Sequence, residues 1–232
     1  MKHVATRVAA AMAAVALVLV LSAATDARTK GKELKVHGGV TPSLLESDSA
    51  VDYVVRGDLS KVKFIGTSVL HHFKGVSRSV SGYTTIRWSE PLEAEGEIVI
   101  PVRSLQGYAF GGKKKKLTRN IHLGLEADKY PNIAFTIKDV KPVEFDPEKE
   151  RGEFLVRGDL EIHNVTHEVS VPVKMELQSG FLHFHGKYAG LDMKQYGLRP
   201  KTLMGVFRPK SKVDVVFDIY EDVRGGAEGG VE

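Results

Sequence analysis

The chain has 232 residues, Lys+Arg 33 against Asp+Glu 29, 23 Gly, 9 Pro and no Cys. Without cysteine there are no disulfides, no thiol catalysis, no iron–sulfur cluster, no cysteine-ligated zinc and no lipidated N-terminal Cys. A formal charge of +4 is too mild for a nucleic-acid binder, whose phosphate neutralisation comes from clustered positive charge.

The first segment reads as an export signal. Lys2, His3 and Arg7 precede an apolar and small-residue run from Val8 to Ala24. Ser22/Ala24 and Thr25/Ala27 satisfy the small-x-small rule, which places cleavage after Ala24 or Ala27. Residues 1–27 are thus expected to be removed. Residues 28–49 are polar and Gly/Ser-rich and are expected as a loosely packed arm. The barrel described next is expected over 50–222, with a disordered Gly-rich tail over 223–232.

After the arm the hydropathy period is two, the pattern of half-buried strands. Val169, Val171, Val173, Met175 and Leu177 alternate with polar residues and one proline, Pro172. Val213, Val215, Phe217 and Ile219 do likewise, as do Ile133, Phe135 and Ile137, and Ile98, Ile100 and Val102. Weaker alternation runs through Val51–Val55, Val62–Val69, Val80–Trp88, Phe154–Ile162 and Leu182–Tyr188. These make about nine candidate strands, separated by breaks such as Pro91, Asp146-Pro147 and Ser179-Gly180. Leu117, Ile121 and Leu125 instead share one face of a short helix, with Thr118 or Asn120 as its cap and Pro131 as its stop. No helical pattern is long enough for a βαβ crossover, so the sheet is antiparallel. The fold class is all-β with one short helix in a loop.

Several motifs carry little chemistry. Gly107–Lys114 approaches a phosphate-binding loop, but lacks the Ser or Thr and the immediate helix that such a loop requires. Nine histidines give only pairs, His183/His185 and His163/His167, short of the converging ligands of a metal centre. Arg-Gly-Asp occurs within Val55–Leu59 and Val156–Leu160, both after β-rich residues, where a strand end or bulge is expected. No catalytic constellation emerges, and the protein is read as no enzyme, with no cofactor and no metal.

Read in order, a set of segments resembles the YceI-like polyisoprenoid-binding family. These are Ser68–Val76 with its His71-His72 pair, Val102-Arg103-Ser104-Leu105, Arg119-Asn120-Ile121-His122-Leu123, and Tyr130-Pro131-Asn132-Ile133-Ala134-Phe135. Gly158–Thr166 and the Asp192–Leu198 turn complete the set. Asn120, Asn164 and Tyr196 stand where the family pattern has Asp, Gly and Phe, and Lys113–Lys116 is unusually basic.

The resemblance implies an antiparallel lipocalin-like β-barrel of about eight strands, periplasmic or secreted. Such a barrel holds a long amphipathic lipid, polyisoprenoid or fatty-acyl, for transport, storage or sequestration. On that reading Phe64, Phe73, Val80, Ile121, Leu125, Ile133, Phe135, Phe184 and Tyr188 are expected to meet the lipid tail, and His71, His122, Tyr130 and Tyr196 its head group. Partners are the lipid ligand and, transiently, a membrane surface through Lys113, Lys114, Lys115 and Lys116, with a homodimer left open and no nucleic acid. The alternative is a structural or surface-interaction β-domain whose barrel is filled by side chains.

Overall fold

The computed structural model describes residues 39–68, 72–89, 92–198 and 209–224. The expected signal segment 1–27, His71 and the tail from 225 onward lie outside the described residues. In chain order the strands are β1 (Val51–Val55), β2 (Lys61–Ser68), β3 (His72–Ser77), β4 (Ser81–Arg87), β5 (Glu93–Pro101), β6 (Gln106–Ala109) and β7 (Gly112–Lys113). A helix, α1 (Lys115–Gly124), leads to β8 (Asn132–Asp146), β9 (Arg151–Ile162), β10 (Val165–Gln178), β11 (Phe181–Asp192) and β12 (Pro209–Val223). Short 3-10 turns occupy Pro42–Glu46 and Val102–Ser104.

All strand pairs are antiparallel. Eight strands run β1-β4-β5-β8-β9-β10-β11-β12 and close on themselves through β1–β12 pairing, while β2, β3, β6 and β7 follow one another in the pairing order from β12. Closure leaves this ring without an unpaired edge. The excess of segments over staves has a local cause. β1 pairs with β4 and β2 with β3, so β1/β2 and β3/β4 form one hairpin interrupted on both arms. The first arm breaks at Gly57–Leu59, where Leu59 and Ser60 amides bond the Arg56 carbonyl. β5 and β6 are similarly separated by the Val102–Ser104 turn.

The tight connections show why the long strands keep register. His163 and Asn164 join β9 to β10 with φ of 56° and 60°, the two left-handed residues of a hairpin turn that matches strand twist. Asn164 tolerates that conformation nearly as well as glycine does. Of the two Arg-Gly-Asp copies, Arg56–Asp58 follows the end of β1 and Arg157–Asp159 lies within β9. Neither is a loop tip suited to adhesion.

Two expectations are corrected. α1 begins at Lys115 with Lys114 as its cap residue and no side-chain cap. Thr118 is already inside the helix, where its Oγ1 accepts the Gly107 amide at 2.8 Å and donates to the Lys114 carbonyl at 3.1 Å. Residues 39–49 are not loosely packed. Val40 and Leu45 are buried against Tyr53, Trp88 and Met175, and the Val40 amide bonds the Gly180 carbonyl at 3.2 Å. Apolar side chains placed early in a polar stretch plug the barrel end opposite α1.

Candidate functional site

The barrel is hollow. A cavity of about 990 Å³ runs inside it, lined by inward residues of the strands and by α1. This corrects the filled-barrel alternative. β12 illustrates the wall: Val213, Val215, Phe217 and Ile219 all face the lumen, as period-two alternation requires. From Val213 to Glu221 the strand spans roughly 26 Å, at about 3.3 Å per residue.

One end of the cavity opens beside α1. There Phe110 is 73% and Leu123 53% exposed, although both line the cavity. Lys114, Lys116, Asn120 and Lys210 stand around the same opening. Lys113–Lys116 therefore form no separate loop. Lys113 closes β7, Lys114 caps α1, and Lys115 and Lys116 fill its first turn, which has no acidic residue. Positive side chains against the positive end of the helix dipole destabilise the helix slightly and raise the potential at the mouth. The other end is closed by Thr84, Ile86, Trp88, Phe154 and Glu221, all buried.

Of the residues expected to meet a lipid tail, Phe64, Phe73, Ile121, Leu125, Ile133, Phe135, Phe184 and Tyr188 line the cavity. Val80 does not. It sits in the break between β3 and β4, outside the inward alternation, and packs with Val55, Val62 and Ile219.

The described head-group candidates stand apart from the cavity wall. His122 Nε2 pairs with the Leu105 carbonyl at 2.9 Å, in a shallow groove on the other side of α1 with Arg103, Lys113 and Arg119. Tyr130 packs on the His163 ring with centroids 4.2 Å apart. Tyr196 is fully buried among Val102, Leu105, Ile121 and Leu198. Its hydroxyl has no hydrogen-bond partner, and burial, helped by nearby Tyr188, pushes it up to about 12. His122 lies in α1 and the two tyrosines in connections, none on a strand face, so alternation could not place them.

Sequence reasoning missed Glu221. Its side chain is 1% exposed and faces the lumen. Thr84 Oγ1 donates to Glu221 Oε2 at 2.5 Å. Burial pushes the carboxyl up to about 7, against that hydrogen bond, which pulls it down. The signal was available: Glu221 continues the row Val213, Val215, Phe217, Ile219, one step past the point where apolarity stops. It also missed a cluster on the outer face. Strand pairing adds Glu176 of β10 to His183 and His185 of β11, with ligand atoms within 4.8 Å of one another. The His183 ring is stacked on Tyr220 at 4.2 Å, and burial lowers its pKa first of all.

A closed antiparallel barrel with a large apolar lumen, open at one end beside a short helix, defines a cavity-bearing barrel of the lipocalin-like type. The sequence matches the YceI-like domain over residues 53–220, and the chain belongs to that family. No curated protein matches it. Among solved structures, BcnA of Burkholderia cenocepacia is similar at 16% identity and a TM-score of 0.57, over 72% of this chain and 98% of that one. A polyisoprenoid binding domain from Saccharophagus degradans, implicated in plant cell wall breakdown, is similar at 15% identity and a TM-score of 0.58, over 75% and 99%. At these identities the likeness is one of fold.

Proposed function

We propose that the protein binds a long-chain amphipathic lipid, polyisoprenoid or fatty-acyl, in the barrel lumen and carries or sequesters it outside the cytoplasm. The observation that carries this reading is the apolar cavity of about 990 Å³, at the large end of the range for small-molecule sites. A chain entering it is stabilised by ~0.8 kcal/mol for each CH₂ removed from water, so its tail needs few polar contacts. The binding named for the Saccharophagus domain supports the isoprenoid class. The basic rim favours an anionic or strongly polar group at the opening. The basic start followed by the apolar run Val8–Ala24 supports export.

Trp88 is the chain's single tryptophan and lines the closed end of the cavity, so its emission reports a ligand that fills the lumen. The test expresses the full chain in a bacterial host, identifies co-purifying lipid by native mass spectrometry, and titrates the delipidated protein with a polyprenol and a fatty acid. Bound lipid and a saturable Trp88 response are expected. A preparation without lipid that responds to neither probe would overturn the binding reading. Fractionation checks the location, which fails if the unprocessed chain stays in the cytoplasm.

A further inference from the structure

The cavity wall is apolar along its length, and its polar residues gather at the two ends. Lys114, Lys116, Asn120 and Lys210 stand at the opening; Thr84 and Glu221 stand at the closed end. Both closed-end residues are buried, and among the described residues no ion pair includes Glu221. Across the sheet it faces Leu182 of β11 and Val55 of β1. The nearby Tyr53 hydroxyl of β1 already receives the Trp88 indole N–H at 2.9 Å. Thr84 is the one side chain that hydrogen-bonds it among the described residues.

A carboxyl in this position destabilises the empty barrel, because a buried polar group is costly unless its hydrogen-bonding capacity is met. A leucine at 221 would continue the row of β12 and fill the same space without that cost. Ligand cavities of this kind carry a few placed polar groups that fix orientation and specificity. We propose that Glu221, oriented by Thr84, is the recognition group for an uncharged oxygen-bearing end of the ligand, a hydroxyl or carbonyl carried to the closed end. The inference rests on the lipid reading above and narrows it to a chain that is polar at both ends and apolar between them. With Thr84 donating to Oε2, the protonated carboxyl presents its O–H to the ligand oxygen. Its neutral form is the one favoured in a dry, apolar site.

A chain lacking that oxygen leaves Glu221 unmatched at the bottom of the cavity. Sites built to hydrogen-bond a substrate group reject analogues without it far more strongly than apolar pockets discriminate a methylene. A preference of about tenfold or more follows from the cost of one unsatisfied buried group.

The test titrates delipidated protein with hexadecanoic acid and with its ω-hydroxy and ω-amino derivatives, following Trp88 emission. Wild type is expected to bind the ω-hydroxy chain about tenfold more tightly. Glu221→Leu is expected to prefer the plain chain, and Glu221→Gln, which can still hydrogen-bond, to keep the hydroxyl preference. Equal binding of the two chains by wild type, or the same preference in Glu221→Leu, would overturn the assignment while leaving lipid binding intact. Tighter binding of the ω-amino chain would overturn it in favour of a charged anchor. If neither these chains nor a polyprenol binds, both readings fall together.

Discussion

The ring of Phe64 stands over Gly75, its partner on the paired strand, so closely that a Cβ at 75 would fall 2.1 Å from the ring. The arrangement recurs with the strands exchanged two pairs further on, where Phe73 covers Gly66 at 2.3 Å. Phe217 covers Gly186, and Phe135 covers Gly158 from the diagonal position. In each case the ring occupies the space of a missing side chain. The aromatic bulk is thereby laid against the wall instead of projecting into the lumen, which is how a barrel rich in inward phenylalanine stays hollow.

Gly75→Ala therefore tests what keeps the cavity open. The new methyl cannot coexist with the Phe64 ring, which must turn toward the lumen. Overpacking of this kind destabilises by about 1–3 kcal/mol, and the displaced ring takes volume from the ligand. We expect a lower unfolding midpoint in urea and weaker uptake of a polyprenol reported by Trp88. The double variant Gly75→Ala/Phe64→Leu should recover uptake, because the smaller side chain leaves the lumen clear. Unchanged uptake in the single variant would show that the ring has another place to go.

The buried carboxyl gives a pH dependence whose sign is fixed. Glu221 has a folded-state pKa raised from 4.5 to about 7, so the folded state holds a proton that the unfolded chain releases. Its contribution is fully present below the unfolded value and is lost as pH rises through about 7. At about 1.4 kcal/mol per pKa unit, this amounts to roughly 3 kcal/mol between acid and mildly alkaline conditions. The groups around it, Thr84 on β4, Tyr53 on β1 and Leu182 on β11, supply no cation to offset that loss. Glu221→Gln should be insensitive over this window and gain stability relative to wild type between pH 5 and pH 8. Urea unfolding of both proteins at the two pH values measures the difference, and parallel shifts would show that Glu221 is not the titrating group.

The barrel was legible because its strands are long and their alternation is strict. β9, β10 and β12 bury one face and leave the other polar, so Val213–Ile219 and Val169–Leu177 declare both element and orientation. The resemblance added what alternation lacks, since a hollow barrel and a packed sandwich share the same period. The interrupted staves were harder to read, because the Gly57–Leu59 and Val102–Ser104 breaks follow from hydrogen bonds across the sheet rather than from local propensity. The N-terminal plug was hidden for a similar reason: Val40 and Leu45 sit in a polar stretch with no strand or helix period, and their burial depends on a distant strand end. Glu221 keeps the inward parity of its row, but a charged residue at the end of an apolar run reads as the end of the buried face. The head-group candidates come from motifs, whereas the residues that stand at the opening, Lys114, Lys116, Asn120 and Lys210, lie along α1 with its cap and at the beginning of β12.

Tyr196 separates a packing role from a ligand role. Its ring is fully buried and meets the His167 ring edge-on at 5.0 Å, while its hydroxyl has no partner. An unsatisfied buried hydroxyl has lost its hydration without compensation, at a cost of about 1–3 kcal/mol. Tyr196→Phe removes that group and keeps the ring, so it should stabilise the protein by about 1 kcal/mol. Tyr196→Ala removes the ring and should cost about 3–5 kcal/mol through the cavity it leaves beside Ile121 and Leu198. Urea unfolding should show a higher midpoint with an unchanged slope for the phenylalanine variant. Lipid uptake should match wild type, because Tyr196 lies behind the wall rather than on it. Loss of uptake in Tyr196→Phe, with stability intact, would mean that the hydroxyl turns toward the ligand and that this side chain belongs to the binding site after all.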